Sequence, residues 1–487
     1  MQKHYVEKVR TYVGGEWTAS TSHDYVPVTN PATGDALGTV PMGTAKDVEA
    51  AVSAAKSAFT TWRDVPVAVR ARYLFDLRNL MEQNYDELLS ICTQEHGKTI
   101  EESKGDVRRG IDNVETAAGM PGMMMGDCLE QIATGIDSVS FRQPMGVFAC
   151  LAPYNFPSMV PFWFLPYAIA TGNTFVVKPS EQVPFSQVRL FELLDKLKLP
   201  KGVVNMVNGG KDVVNAILEH KDVAGVSFVG SSAVAEHVYD RCGATKKRVQ
   251  ALGGAKNFTT VTDDCEWERS VANIIDSAFG CAGQRCLATS VVIGVGPAYA
   301  KLKERLAAGI KKIKVGEGHQ PGVTMGPVIS AKHRERVLGY VEKGIKEGAE
   351  LVVDGRGLKV DGFPKGHWVG PTLFAKVTPE MTIGHEEIFG PVLSLMEAKD
   401  LEQAIAITNA HPLANAASIY TQNGSYARKF SREIHPSMVG VNIGVAAPMA
   451  YFTFGGNKGS FFGDLKAHGR DSVSFYTQNK TSIQRWW

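Results

Sequence analysis

The 487-residue sequence lacks several features that mark specialised classes of protein. It has no excess of one charge, because 52 Lys and Arg are balanced by 50 Asp and Glu, which argues against a general affinity for nucleic acids or membranes. It has no long apolar run, since the most apolar stretch, residues 159–170, is interrupted by two prolines and is too short to span a bilayer. The N-terminal segment also lacks the apolar core of a secretory signal, so we expect a cytoplasmic protein.

The seven cysteines are odd in number, scattered and without CxxC spacing. This distribution argues against a disulfide framework and against a zinc site, and it is typical of a reducing compartment. We therefore expect no structural metal. A GxGxxG dinucleotide fingerprint is also missing, so any nucleotide site must be built from other residues.

What the sequence does have is the alternation of an α/β protein, and its length favours two domains. Helical periodicity is present over residues 46–62, 67–95, 186–197 and 211–220. Short apolar runs typical of buried parallel strands form two successive groups. The first group is VFACLAP, NTFVVKP, VVNMVNG and VAGVSFVG, and the second is NFTTVTD, SVVIGVG, AELVVDG, PVLSLMEA and ASIYTQ. Two such units predict a two-domain enzyme with a cleft between them.

The C-terminal tail, SVSFYTQNKTSIQRWW, is predicted to be extended and aromatic. Residues 127–143 are candidates to pair with it or with a neighbouring subunit as added strands. The alternative is an ordinary disordered tail. Subunit contact is favoured, because exposed aromatic strand edges invite pairing.

Cys286, in the run FGCAGQRCLATS, is the candidate nucleophile. A thiolate can attack an aldehyde to give a thiohemiacetal, which loses hydride to a nicotinamide and becomes a thioester. The alternative is that a cysteine in an Ala/Gly-rich segment is simply a small buried apolar residue. Cys281, five residues earlier, fits that structural role better.

Seven motifs occur in an order that resembles the aldehyde dehydrogenase superfamily over essentially the whole chain: APYNFP, GNTFVVKPSE, FVGSSAVA, ALGGAKN, FGCAGQRC, GHEEIFGPV and FTFGGNKGS. The resemblance implies an α/β fold with a Rossmann-type NAD-binding domain, an α/β catalytic domain and a small oligomerisation β-arm. The implied domains are residues 1–125, 144–252 and 442–464 for NAD, 253–441 for catalysis, and 126–143 with 465–487 for the arm. A homotetramer or homodimer is expected.

Within that superfamily, GAKN, GQRC, MMMGD, VAAPMAYF and TSIQRWW are most similar to the CoA-acylating branch that acts on methylmalonate or malonate semialdehyde. This similarity implies NAD as the cofactor and coenzyme A as a co-substrate. It also implies loss of carbon dioxide and release of acetyl-CoA or propionyl-CoA.

The nucleotide site is expected at FVGSSAVA and KPSE. Gly230 lets the backbone turn after a strand, and Ser231 can present a hydroxyl and an N–H to a phosphate at a helix N-terminus. The resemblance places Lys178 and Glu181 near the adenosine ribose, where a carboxylate favours NAD over NADP. It implies four further cofactor contacts: Phe156, Gly209, Glu387 and Phe389.

The resemblance also assigns the chemical site. Asn155 matches the family's oxyanion-stabilising asparagine, although it would also suit a turn before proline. Arg109 and Arg285 are expected to bind the substrate carboxylate, while Arg108 is expected to face solvent. Tyr154 and Thr289 are expected near the substrate pocket, where either residue could narrow it or add a hydrogen bond.

Ala251, the residue before LGG, stands where hydrolytic relatives carry a glutamate that activates water. Losing a positioned base typically lowers a rate by about 10²–10⁴-fold, so a thiol such as coenzyme A becomes the favoured acceptor. Two alternatives stay open. One is hydrolytic oxidation of another small aldehyde, with a carboxylate from elsewhere standing in. The other is a catalytically idle protein that only binds a dinucleotide or builds an assembly.

Overall fold

The computed structural model describes residues 7–487, and the first six residues of the N-terminal segment assigned to the NAD-binding domain lie outside the described residues. The strands of the described chain, in order, are β1 (Thr11–Val13), β2 (Glu16–Thr18), β3 (Tyr25–Thr29), β4 (Ala36–Pro41), β5 (Cys128–Ala133), β6 (Ile136–Pro144), β7 (Val147–Leu151), β8 (Thr174–Lys178), β9 (Val204–Met206), β10 (Val223–Val229), β11 (Arg248–Leu252), β12 (Asn257–Val261), β13 (Thr289–Val295), β14 (Glu350–Val353), β15 (Thr372–Ala375), β16 (Val392–Ala398), β17 (Leu413–Ala414), β18 (Ala416–Tyr420), β19 (Met438–Val441), β20 (Asn457–Lys458), β21 (Phe461–Gly463) and β22 (Thr477–Arg485).

The helices are α1 (Ala45–Trp62), α2 (Val67–Gln83), α3 (Tyr85–His96), α4 (Ile100–Ala118), α5 (Met120–Met123), α6 (Met159–Phe162), α7 (Leu165–Ala170), α8 (Phe185–Lys196), α9 (Lys211–Glu219), α10 (Ser232–Ala244), α11 (Trp267–Phe279), α12 (Ala298–Ile310), α13 (Ala331–Lys346), α14 (Thr382–His385), α15 (Leu401–Ala410), α16 (Gly424–Glu433) and α17 (Gly469–Tyr476), with a 3₁₀ turn at Gly280–Gly283.

The first sheet has the order β2-β1-β9-β8-β7-β10-β11-β21. Its central strands β9, β8, β7, β10 and β11 pair in parallel, and antiparallel strands close both edges. The central strands β7 and β8 are buried along their whole length, with one apolar cluster on each face of the sheet. This is why VFACL and TFVVK are continuous apolar runs rather than alternating ones.

The second sheet has the order β14-β15-β16-β13-β12-β18-β19 and is parallel except at β14. All nine predicted strands lie in these two sheets, four in the first and five in the second. The predicted α/β architecture with two successive, mainly parallel sheets is therefore present. The boundaries of the functional domains remain a prediction.

A third, three-stranded sheet joins the C-terminal tail to β5 and β6. Strands β22 and β6 are antiparallel, from Thr477 opposite Pro144 to Arg485 opposite Ile136. The tail is thus paired within its own chain. Leu129 and Ile132 of β5 and Ile483 and Trp486 of the tail are exposed, so subunit contact through this sheet stays our prediction.

Two elements differ from the sequence-based expectation. Residues 67–95 form two helices rather than one, because the chain leaves helical geometry at Asn84, whose side chain donates a hydrogen bond to the Leu80 carbonyl. The first part of the predicted extended tail is helical instead. Helix α17 forms because Phe475 and Tyr476 become fully buried in the core of the first sheet.

Within residues 7–487, no helix combines the length and the apolar character that a membrane crossing would require.

Candidate active site

Cys286 follows a tight left-handed turn between α11 and β13. Cys281 and Ala282 have φ angles of +49° and +52°, a conformation that costs about 1–3 kcal/mol per non-glycine residue. Gly283 completes the turn, and a Cβ there would lie 2.2 Å from the Gly390 carbonyl oxygen. The turn is therefore pressed against the loop that carries Glu387 and Phe389, which fixes where the following residues emerge.

The backbone of Cys286 is held by two asparagines from the second sheet. Asn257 Nδ2 and Asn415 Nδ2 donate to the Cys286 carbonyl oxygen at 2.9 and 2.8 Å. Asn257 is the first residue of β12 and Asn415 immediately precedes β18, and the parallel pairing of these two strands brings the amides together. The position of the thiol is thus set by the sheet rather than by a mobile loop.

The thiol of Cys286 lies where two cavities meet. Burial, followed by the nearby Glu387 carboxylate, raises the pKa of the Cys286 thiol to about 12. In the protein without ligands the sulfur is therefore protonated at neutral pH. Any positive charge brought close to it would favour the reactive thiolate.

Asn155 is buried and lines one of these cavities together with Cys286. Its Nδ2 atom donates to the Gln284 carbonyl oxygen at 3.0 Å, which ties the amide to the segment immediately before the thiol. An amide –NH₂ group has two donors, so this bond orients the group without exhausting it. The Asn155 amide can therefore stabilise an oxyanion on a carbon atom that is bonded to the sulfur.

Lys98, which no sequence motif indicated, holds the backbone of Asn155 by a hydrogen bond. Its ammonium group is fully buried, donates to the Asn155 carbonyl oxygen at 2.7 Å and lies 4.0 Å from the centroid of the Phe156 ring. It pairs at 3.0 Å with Asp106, which is also fully buried and accepts the Met159 N–H at 2.7 Å. The nearby sequence signal is the capping box Thr99–Glu102, which starts α4 between Lys98 and Asp106.

The first cavity, which we call the arginine cavity, has a volume of about 590 Å³. Besides Cys286, its lining includes Arg109, Asn113, Phe156, Trp163, Phe454 and His468. Arg109 is exposed apart from one long contact, in which Nη1 donates to the Pro448 carbonyl oxygen at 3.4 Å. Its guanidinium is therefore largely free to bind an anion. Neighbouring Arg108 instead pairs with Glu82 through both terminal nitrogens.

Arg285 also lines the arginine cavity, but its guanidinium is already engaged. It donates to Cys281 Sγ at 3.4 Å and lies 3.6 Å from Glu102 Oε1 and 3.8 Å from Asp276 Oδ2. Glu102 in turn accepts the Cys281 N–H. Arg285 therefore braces the strained turn, and Arg109 is the less committed of the two predicted carboxylate ligands.

The second cavity, the strand-end cavity, has a volume of about 630 Å³ and lies at the carboxyl ends of β7, β10 and β11. This is the position at which open parallel sheets bind ligands. Five predicted cofactor residues line it: Glu181, Gly230, Ser231, Glu387 and Phe389. Ser231 precedes α10 without capping it, so the helix N-terminus is available to a phosphate.

Glu387 and Phe389 are held in place by α13. Arg336 donates to the carbonyl oxygens of Glu387 and Ile388, each at 2.9 Å, and His333 Nε2 lies 2.7 Å from the Phe389 carbonyl oxygen. His333 and Arg336 line the strand-end cavity, but no sequence motif indicated either residue. They are brought in by packing of a helix that is distant in sequence.

Three predicted cofactor residues lie outside the lining of the strand-end cavity: Lys178, Gly209 and Phe156, the last of which lines the arginine cavity. Lys178 is buried and pairs with Glu181 at 3.2 Å, so any effect on a ligand would act through that carboxylate. Gly209 is required by packing: its φ is +150° and a Cβ would lie 2.4 Å from Val213 Cγ2. A structural reason therefore accounts for this glycine.

Tyr154 was predicted to contact the substrate and Phe156 the cofactor, and the structure places each residue in the opposite cavity. Tyr154 lines the strand-end cavity and packs edge-on against Phe389 at 6.0 Å, whereas Phe156 lines the arginine cavity. The chain bends through residues 154–156, so the side chains flanking Asn155 point in opposite directions. Thr289 is also corrected, because it is buried with its hydroxyl 3.0 Å from both Thr259 Oγ1 and Ser277 Oγ and does not line the arginine cavity.

Ala251 does not lie on the face of the first sheet against which Cys286 packs. It is fully buried in the apolar cluster on one face of the first sheet, whereas Leu252 belongs to the cluster on the opposite face, against which Cys286 packs. Adjacent strand residues point to opposite faces, which accounts for the difference. Neither Ala251 nor Leu252 can activate water, so a base is absent at either position.

Comparison with known proteins agrees with this architecture. The family model described as "Aldehyde dehydrogenase family" matches residues 17–482. The malonate-semialdehyde dehydrogenase 2 of Geobacillus thermodenitrificans is 51% identical over 478 residues, covering 98% of this chain and 99% of the relative. The malonate-semialdehyde dehydrogenase 2 of Shouchella clausii is 48% identical, covering 99% of both chains.

Solved structures give the same result. The methylmalonate-semialdehyde dehydrogenase of Oceanimonas doudoroffii superposes with a TM-score of 0.97 at 44% identity, covering 99% of both chains. A Sinorhizobium meliloti protein described as a methylmalonate-semialdehyde dehydrogenase and complexed with NAD has a TM-score of 0.97 at 41% identity, covering 98% of both chains. The thiol between two cavities, the paired parallel sheets and these full-length similarities lead to one conclusion: the chain belongs to the aldehyde dehydrogenase family.

Proposed function

We propose that this protein is an NAD-dependent, CoA-acylating dehydrogenase that converts malonate or methylmalonate semialdehyde into acetyl-CoA or propionyl-CoA. The observation that carries the proposal is the position of Cys286 between a cavity with a free arginine and a cavity at parallel strand ends. The names of relatives that are 51% and 48% identical support the substrate class.

The strand-end cavity fits a dinucleotide. Gly230 keeps the backbone open before α10, since a Cβ there would lie 2.4 Å from the Phe228 ring, and the helix N-terminus offers free N–H groups for a phosphate. Glu181 is half-buried at the cavity wall, where it would accept ribose hydroxyls and repel a 2′-phosphate. Arg336 and Ala255 hold Glu387 and its loop in place at the other end.

In the proposed reaction, the Cys286 thiol gives up its proton to solvent, Sγ bonds to the aldehyde carbon and the carbonyl oxygen becomes an oxyanion. The Asn155 amide would donate to that oxygen. When bound, NAD supplies the acceptor for the hydride that leaves the same carbon. Cys286 then holds the acyl group as a thioester, and Arg109 is available to bind its distal carboxylate.

The acyl group carries its carboxylate β to the thioester carbonyl. Breaking the bond to the carboxylate releases carbon dioxide and leaves the electron pair as an enolate, which the Asn155 amide would stabilise until it is protonated. The CoA thiolate then attacks the carbonyl carbon, which releases the Cys286 thiolate and acetyl-CoA or propionyl-CoA.

Whether CoA or water takes the acyl group depends on carboxylates near the thioester. Leu252 supplies none, and Glu102 is occupied by Thr99, Cys281 and Arg285. Glu387 lines the same cavity as Cys286 but accepts the Ala255 N–H at 2.9 Å. Its charge acts on the Cys286 thiol, so among the acidic residues lining the two cavities it is our first candidate for the base of a hydrolytic enzyme.

The deciding experiment measures NADH formation from malonate semialdehyde with and without CoA. We expect steady turnover only with CoA, with acetyl-CoA and carbon dioxide as products, because the loss of a positioned base slows water attack by about 10²–10⁴-fold. Steady CoA-independent turnover to a free acid, lost in Glu387→Gln, would establish the hydrolytic alternative. No turnover with any aldehyde would leave only dinucleotide binding.

Arg109 provides a second test, of the substrate class. We expect Arg109→Leu to raise KM for malonate semialdehyde about 10–100-fold, since hydrogen bonds to charged groups contribute about 1.5–3 kcal/mol. KM for propanal, which has the same chain length without the charge, should change little. Arg108→Leu is the matched control, because its guanidinium is held by Glu82. Equal effects of Arg109→Leu on both aldehydes would contradict a carboxylate-binding role.

A further inference from the structure

His468 is a buried histidine whose polar atoms have no partner in the described chain. Its side chain is nine-tenths or more buried, and neither Nδ1 nor Nε2 makes a hydrogen bond within residues 7–487. A neutral imidazole carries one N–H donor and one acceptor nitrogen, and buried polar groups are seldom left unpaired. The ring therefore offers hydrogen-bonding capacity that the fold itself does not use.

Aromatic side chains hold the ring of His468 in one orientation. Trp163 meets it edge-on at 5.1 Å, Phe454 lies at 5.6 Å, and Tyr167 is roughly parallel to it at 6.4 Å. The Tyr167 hydroxyl is committed to Asn113 Oδ1 at 2.9 Å, so it is not a partner for the histidine. The groups packed against the imidazole are therefore aromatic rings.

The backbone at this position is also unusual. His468 has a φ of +68°, and Gly469 follows with a φ of +54° before α17 begins. Non-glycine residues with positive φ cost energy and persist where the surrounding structure imposes them. This bend places the histidine at the wall of the arginine cavity, which it shares with Cys286 and Arg109.

Charge also restricts what His468 can bind. Burial, and secondarily the Arg109 guanidinium, lower the pKa of His468 to about 3, so the ring is neutral at physiological pH. A neutral imidazole beside an arginine acts as a hydrogen-bond donor without adding a second cation. An anion held by Arg109 has lone pairs to spare for such a donor.

We propose that His468 is a specificity-determining residue that donates an N–H to the distal carboxylate of the semialdehyde, next to Arg109. This proposal rests on the proposed function, since it names the partner of the carboxylate in the same cavity. The three-carbon aldehyde propanal lacks that carboxylate and would leave the ring unpaired. His468 would therefore favour charged over uncharged aldehydes.

The test compares His468→Phe, which keeps an aromatic ring without polar atoms, with His468→Gln, which keeps a donor and an acceptor. Neither replacement is glycine, so both experience the positive φ. With NAD and CoA present, we expect His468→Phe to lower the ratio of kcat/KM for malonate semialdehyde to kcat/KM for propanal by about tenfold, the size of a hydrogen bond to a charged group. His468→Gln should keep the ratio within about threefold of the wild type.

An unchanged ratio in His468→Phe would overturn the proposal, and so would equal losses for both aldehydes in both variants, which would mark a purely structural residue. If the wild-type enzyme does not oxidise malonate semialdehyde, the proposed function fails. In that case calorimetric titration of the wild type and His468→Phe with malonate, a non-reactive dicarboxylate, decides the proposal for His468. Weaker binding of malonate by His468→Phe supports it, and equal binding rejects it.

Discussion

Replacing Cys286 by alanine is expected to abolish NADH formation, with a loss of at least about 10³-fold in rate even in a single turnover. The reason is that the sulfur forms the bond to the aldehyde carbon, and no nearby group replaces it. The fold should be unaffected, because Cys286 is only half-buried and its backbone is held by the amides of Asn257 and Asn415. Stopped-flow absorbance at the NADH band and the thermal midpoint of unfolding measure the two effects.

Cys281→Ala is the matched control for this experiment. Cys281 is five residues earlier, buried, and its Sγ accepts a hydrogen bond from Arg285 at 3.4 Å. We expect this variant to retain activity within about tenfold, since losing one hydrogen bond of this kind shifts the site by about 1 kcal/mol. If Cys281→Ala were the inactive variant and Cys286→Ala turned over, the nucleophile would be misassigned.

The largest expected effect on stability comes from the buried pair of Lys98 and Asp106. Asp106→Leu should lower the free energy of unfolding by about 3–5 kcal/mol, because it leaves an ammonium group buried without a counter-charge. Both side chains have 0% exposure and lie 3.0 Å apart. The free energy of unfolding is measured by urea denaturation, with kcat followed in parallel because Lys98 also holds the Asn155 carbonyl oxygen.

The control for this prediction is the double variant Lys98→Met/Asp106→Leu. Replacing both charges by apolar groups is often neutral or stabilising, so the double variant should regain much of the lost stability. Its kcat should nevertheless be low, because the double variant removes the hydrogen bond from Lys98 to the Asn155 carbonyl oxygen. A loss below about 1 kcal/mol in Asp106→Leu would contradict a tightly coupled pair.

The two sheets could be predicted because their central strands are long apolar runs. VFACL, TFVVK and SVVIGV are buried on both faces, which leaves a signal that does not depend on distant residues. Strands β15 and β19, with four residues each, were not predicted. Runs this short become strands because longer neighbours supply a pairing edge.

The motifs located the candidate nucleophile, the asparagine and most of the strand-end cavity, because each lies within a few residues of a strand end or a turn. They did not show which way a side chain points. The exchange of Tyr154 and Phe156 and the difference between Ala251 and Leu252 follow from a bend and from strand alternation, and both depend on the backbone geometry.

By itself, the amino-acid sequence determined the fold class, the division of nine strands into two successive groups, and the types of residue expected around Cys286. These properties follow from apolar periodicity and short motifs, and each such signal involves only a few consecutive residues. Only the tertiary structure decided that Lys98 supports Asn155, that Arg285 braces a strained turn while Arg109 stays free, and that His468 joins the same cavity from the far end of the chain. Such contacts join residues separated by tens to hundreds of positions, and packing alone brings them together.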